Sequence, residues 1–184
     1  MIPAGPRWDF RRALLASALA ALLLSGCGSG TVKPSRYVRS LCTALANWRN
    51  TVQSAGVAFQ DSGALTASPA VAKQDYQRYV SALAKATKHA GDALRAAGAP
   101  AVRRGKQIAD RLTRAFQRAG RELAKAGAQA ASIPTDSGST FQLGASAVNA
   151  EIETAFRRIA AVSPGQSAQL RAAAAKQPTC QVLR

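Results

Sequence analysis

Residues 102–130 read VRRGKQIADRLTRAFQRAGRELAKAGAQA. Val102, Ile108 or Ala109, Leu112, Phe116, Ala119, Leu123, Ala126 and Ala130 recur at spacings of three and four, which makes one side of a helix apolar. Arg104, Arg111, Arg114, Arg118, Arg121 and Lys125 run down the opposite side as one cationic stripe. A helix of this kind persists only when other elements cover its apolar side. With aromatics at only 5% of the chain and alanine abundant, the covering elements must be other closely packed helices.

The same reading extends outward in both directions. Upstream, Ser68 and Pro69 form a helix start, a capping residue followed by proline at the first helical position. Tyr76, Val80, Leu83, Thr87, Ala90, Leu94 and Ala97 continue it as an apolar seam. Gly98 and Pro100 end that helix, and the short break predicts an antiparallel neighbour. Further upstream, Ser35 is expected to cap a first helix with the seam Val38, Leu41, Leu45, Trp48, Val52, Ala55 and Phe59, ending near Asp61, Ser62 and Gly63.

Downstream, residues 133–139 read as a loop rich in Pro, Gly, Ser and Thr. A fourth helix follows on Phe141, Ala145, Val148, Ile152, Phe156, Ile159 and Val162. Ser163, Pro164 and Gly165 stop it, a short fifth helix is expected over about residues 166–176, and Pro178 is expected to force the tail into an extended form. No segment alternates usefully as a strand. The expectation is therefore an all-α, up-down-up-down four-helix bundle with a short C-terminal fifth helix, occupying residues 35–184.

Residues 1–26 do not belong to that bundle. Arg7, Arg11 and Arg12 form a cationic start, and residues 13–24 are apolar except for Ser17. Twelve residues are too few to cross a hydrocarbon core, which takes about 20. The run ends in Leu23-Leu24-Ser25-Gly26-Cys27, which resembles the lipobox of bacterial lipoproteins: aliphatic residue, two small residues, cysteine. The resemblance implies that the Cys27 thiol receives a diacylglyceryl thioether and that cleavage then makes Cys27 the first residue. A plain signal peptide with a chance cysteine is the alternative. Two or more acyl chains give stable attachment where one gives only marginal binding. Residues 27–34 then read as a flexible tether.

Export decides the cysteines. With Cys27 carrying lipid, Cys42 and Cys180 remain, and an even pair in an exported chain reads as a disulfide, the alternative being two inert buried thiols. Export also removes Arg7, Arg11, Arg12 and Asp9, so 25 basic and 9 acidic side chains become 22 and 8, a net charge of +14. Such a balance calls for anionic partners: lipid headgroups, acidic wall polymers or an acidic protein. Nucleic acid fits the charge but not the compartment, so no nucleic-acid partner is expected. The cationic stripe is the candidate anion-binding surface, and the other reading of it is the wet face of an amphipathic helix.

The lipobox, the helix start Leu41-Cys42-Thr43-Ala44-Leu45 with Trp48, and the ending Pro178-Thr179-Cys180 together resemble small helical lipoproteins of high-GC Gram-positive bacteria. The resemblance implies attachment to the outer face of the cell membrane, and it carries no catalytic residues with it.

Direct inspection for chemistry finds little. Di-iron bundles need paired Glu-x-x-His motifs, and the single histidine, His89, cannot supply them or a haem or copper site. Cys42, Cys180 and His89 cannot complete a tetrahedral metal shell. No nucleophile elbow is present, and Glu151 and Glu153, two residues apart, face different sides of a helix. No cofactor and no enzymatic activity are expected. The expected function is a non-catalytic, lipid-anchored envelope interaction module with a basic surface. The alternative is a carrier of a small apolar ligand in space left by Ala90, Ala119, Ala126 and Ala145.

Overall fold

A computed structural model describes residues 30–63, 67–162 and 167–181. The leader, Cys27, the first tether residues and the break at 163–165 lie outside the described residues. The elements in chain order are β1 (Thr31–Val32), α1 (Pro34–Asp61), α2 (Pro69–Ala96), β2 (Ala99–Pro100), α3 (Gly105–Ser132), α4 (Gly138–Ala160), α5 (Ala168–Ala175) and α6 (Pro178–Gln181). The fold is an all-α helical bundle.

Proline sets three of the helix starts. Pro34, Pro69 and Pro178 each open a helix, where the missing N–H is no loss and the fixed φ already suits the first turn. This corrects two expectations. The N-cap of α1 is Lys33 rather than Ser35. The tail after Pro178 is a single helical turn rather than an extended form, because proline at a first helical position starts a turn as readily as it ends one. Ser137 and Ser167 cap α4 and α5, accepting from the backbone N–H of Thr140 at 3.1 Å and Leu170 at 3.4 Å.

The contacts show how successive helices pair. Phe59, near the end of α1, lies against Tyr76 and Tyr79, near the start of α2, while Trp48 meets Thr87. Gly120 of α3 sits against the Lys88 backbone of α2, and Gly127 faces Val80. Gln129 bonds Glu151 at 2.9 Å, and Glu122 pairs with Arg158. In each pair, numbers rise on one helix as they fall on the other, which is the antiparallel arrangement that short connections favour.

The α2–α3 connection is the tightest. Gly98 adopts φ 74°, the left-handed value that a helix-ending glycine supplies without strain. Ala99 and Pro100 then pair in parallel with Thr31 and Val32, and Ala101 N–H donates to the Val32 carbonyl at 2.7 Å. The compact unit therefore begins at Thr31, inside the stretch expected as tether. Arg104, at φ 60°, turns the chain into α3. A Cβ on Gly105 would collide with the Pro100 carbonyl oxygen, so the turn admits only glycine there.

The core forms where the expected seams meet. Val80, Leu83, Phe116, Leu123 and Ala126 are fully enclosed. Trp48 joins them from α1: its ring meets Phe116 and Phe156 edge to face, with centroids 5.3 and 5.7 Å apart, and its indole N–H donates to the Thr87 hydroxyl at 3.1 Å. Thr87 is itself fully buried, so this bond satisfies a polar group that would otherwise be costly inside a core. At the far end of α1, Phe59, Tyr76, Tyr79 and Phe141 form a second aromatic cluster. The Tyr76 hydroxyl lies 2.8 Å from Asn149 Oδ1 and 3.1 Å from the Ala145 carbonyl, so α2 is tied to α4 through one proton.

The Cys42–Cys180 disulfide is formed, with Cα atoms 5.1 Å apart, and links α1 to α6. It closes a loop with a sequence separation of 138. Constraint of an unfolded loop of this length contributes at most roughly 4 to 5 kcal/mol. Replacing both cysteines with serine is expected to lower the free energy of unfolding by about 2 to 4 kcal/mol, read from the urea midpoint at constant m-value, and a midpoint unchanged from wild type would show that the cross-link carries no stability.

Burial first, and then the neighbouring Tyr79, push the Tyr76 phenol well above its ordinary range. The folded state thus keeps a proton that the unfolded state releases at about pH 10, so stability is full below that pH and falls as pH rises above it. Tyr76→Phe is expected to cost about 1 kcal/mol at neutral pH for the lost hydrogen bond and to flatten the alkaline decline. Denaturant titrations of both proteins at pH 7 and pH 11 check this, and parallel declines would contradict it.

Candidate functional site

The α3 sequence places its bases by simple periodicity. Leu112, Phe116, Ala119, Leu123 and Ala126 turn inward, which forces Arg111, Arg114, Arg118, Arg121 and Lys125 outward, and all five are exposed. Arg104 does not join them on the helix. It stands at the N-cap in a left-handed conformation because the chain must turn sharply before Gly105, so the helical stripe begins at Arg111. Val102 likewise precedes α3.

What distinguishes this face is how the acids are used elsewhere. Asp75 pairs with Arg78, Asp92 with Lys88 at 2.7 Å and Arg95 at 3.7 Å, Asp110 with Lys106 at 2.8 Å, Glu122 with Arg158, and Glu153 with Arg157 at 3.7 Å. Among the described residues no carboxylate lies within ion-pair distance of Arg111, Arg114, Arg118, Arg121 or Lys125. The hydrogen bond from Lys106, with the charges of Lys106 and Arg114, holds Asp110 below the usual carboxylate range. Asp110 is thus an anion beside Arg114 at the edge of the stripe, with its ion pair made to Lys106.

A second feature lies beside the stripe. Between α2 and α3 runs a groove of about 700 Å³, whose floor includes Ala84, Leu123, Ala124 and Gly127 and whose wall includes Lys85, Lys88, Arg95 and Arg121. The Lys88 hydrogen bond, reinforced by the charges of Lys88, Arg95 and His89, holds Asp92 below the usual carboxylate range, so this one acid in the wall remains an anion already engaged by its neighbours. Arg121 belongs to both the stripe and the groove. Lys85, Lys88 and Arg95 were not singled out by the sequence reading. Their spacings of three and seven on one helix are a signal, but only the neighbouring helix shows that they converge with Arg121.

The remaining expected residues fall as follows. His89 is exposed on α2. Among the described residues no group of three or more His, Cys, Asp or Glu side chains is placed to hold a metal ion. Glu151 accepts from Gln129, and Glu153 faces Arg157, so the two carboxylates point to different neighbours. Ala90, Ala119 and Ala126 are packed into the core, and neither they nor Ala145 line the α2–α3 groove. Asp75, which sequence reading passed over, is a buried acid held by an exposed arginine. None of the described helices is long and apolar enough to cross a membrane.

Comparison with protein-family models, with curated proteins and with solved structures gives no match to this chain. The functional reading therefore rests on the chain's own chemistry.

Proposed function

We propose that this protein is a lipid-anchored, extracytoplasmic helical bundle, non-catalytic, that holds an acidic partner of the cell envelope on its basic face. Lipid on Cys27 supplies attachment to the membrane, and the partners that fit the charge are anionic lipid, wall polymer or an acidic protein. The observation that carries this reading is the set of exposed α3 cations, Arg111, Arg114, Arg118, Arg121 and Lys125, that form no ion pair among the described residues while Asp75, Asp92, Asp110, Glu122 and Glu153 pair with other bases. A face built only for solubility gains from interspersed charges of both signs. An uncompensated single-sign face creates a field that attracts polyanions, and close to an anionic bilayer each base contributes about 1 kcal/mol. The disulfide supports the same compartment, because such bonds persist outside the reducing cytosol.

Sedimentation with vesicles containing phosphatidylglycerol tests the reading. Arg111→Gln, Arg114→Gln and Arg118→Gln combined remove about 3 kcal/mol of attraction, a roughly hundredfold loss of binding, and raising salt from 50 to 500 mM is expected to weaken the wild type comparably. Binding that ignores both salt and the three substitutions would overturn it.

A further inference from the structure

The α2–α3 groove is more than a gap beside the stripe. Its charge is graded along its length: Lys85, Lys88 and Arg95 lie toward the C-terminal half of α2, near Arg121, whereas the other half carries no charged side chain and is lined by Ala84, Ala124, Gly127 and Ala131 together with Gln77 and Ser81. Packing does not require the two α3 glycines on its floor. A Cβ at Gly120 would come no closer than 3.5 Å to Lys88, and one at Gly127 no closer than 3.8 Å to Val80, both ordinary contacts. Side chains would fit there, and their absence leaves the channel open. From Gln77 to Arg95 the α2 wall runs about 27 Å at helical rise, long enough for one leaflet's acyl chain, about 15 Å, with room for a headgroup. Its volume of about 700 Å³ is in the range of built small-molecule sites, and the fully enclosed Leu123 forms part of its floor.

We infer that this groove binds one monoacyl anionic phospholipid, its tail along Ala84, Ala124, Gly127 and Ala131 and its phosphate held by Lys85, Lys88 and Arg121. Charge complementarity selects the occupant. Lys85 and Arg121 have no ion-pair partner among the described residues, so an entering phosphate supplies the missing anion. An uncharged hydrocarbon would leave both cations unmatched, and a free anion would leave the apolar half of the channel wet. The inference rests on the proposed anionic-lipid partner and narrows it from a surface to single molecules held by a site distinct from Arg111, Arg114 and Arg118.

Calorimetric titration of the full chain tests it, with three probes below any micelle concentration: lysophosphatidylglycerol, lysophosphatidylcholine of the same chain length, and glycerol phosphate. The expected result is one lysophosphatidylglycerol per protein, at least tenfold weaker binding of the zwitterionic lipid, and no heat from glycerol phosphate. Ala124→Leu and Gly127→Leu, which fill the tail half, are each expected to weaken binding at least tenfold. Ala124 is exposed, so its replacement leaves the melting temperature unchanged and separates blocking from unfolding. Lys85→Gln with Lys88→Gln and Arg121→Gln is expected to bring both lipids to equal affinity. Equal affinity of the two lipids for the wild type, binding of glycerol phosphate as tight as that of the lipid, or wild-type affinity in Ala124→Leu and Gly127→Leu would each overturn the inference. Arg111→Gln, Arg114→Gln and Arg118→Gln combined are expected to leave this titration intact. If vesicle adhesion fails while the titration succeeds, the surface reading falls and the groove stands.

Discussion

One side chain, Trp48, holds the four long helices in register. It stands on α1, donates its indole proton to Thr87 on α2, and meets Phe116 on α3 and Phe156 on α4 edge to face. Each such aromatic pair contributes about 0.5–1.5 kcal/mol beyond its burial, and the hydrogen bond a similar amount. Together these are a substantial share of the 5–15 kcal/mol that separates a folded domain from its unfolded chain. The core mixes alanine with Leu, Ile, Tyr and Phe side chains, and the Trp48 node is where all four long helices meet, so it sets their mutual register.

That constraint shapes the surface. Because the apolar side of α3 is committed to the node and to α2, its bases can only face out, and the local pairing of acids with other bases leaves them uncompensated. The α2–α3 approach adds the groove: with no side chain at Gly120 and Gly127, a channel stays open between the two helices. The disulfide acts at the opposite margin, holding the α6 turn against α1, where α5 and α6 offer only Leu170 and Cys180 as buried apolar side chains. The stripe and the groove meet at Arg121, so the proposed surface attraction and the proposed lipid site share one residue without being the same interaction.

Much of the fold was legible in the sequence because helical periodicity is a local signal. The α1, α2, α3 and α4 seams and the Asp61 and Gly98 helix ends follow from spacing and residue type, and the Cys42–Cys180 pairing from the even count left once Cys27 is set aside. What escaped was non-local or came down to a single torsion. The Thr31–Val32 pairing with Ala99–Pro100 is too short to alternate, so no strand pattern announces it. Arg104 looked like the head of the stripe until the tight turn placed it at φ 60°. Tyr37, beside the expected seam position Val38, is buried as well, because other elements cover the start of α1, and nothing in the α1 sequence alone reveals that cover. The stripe was visible as a pattern, whereas the groove needed two helices at a known separation before Lys85 and Arg121 could be seen to face one space.

The proposed placement of this charged bundle at an anionic envelope surface, and with it the proposed choice of partner, hangs on the fate of Cys27. Mass spectrometry of the amino terminus of protein recovered from the membrane fraction of expressing bacteria tests this most directly. The expected result is a chain beginning at Cys27 with a diacylglyceryl thioether on its sulfur, absent from Cys27→Ser. An intact leader, or an unmodified terminus at another residue, would contradict it.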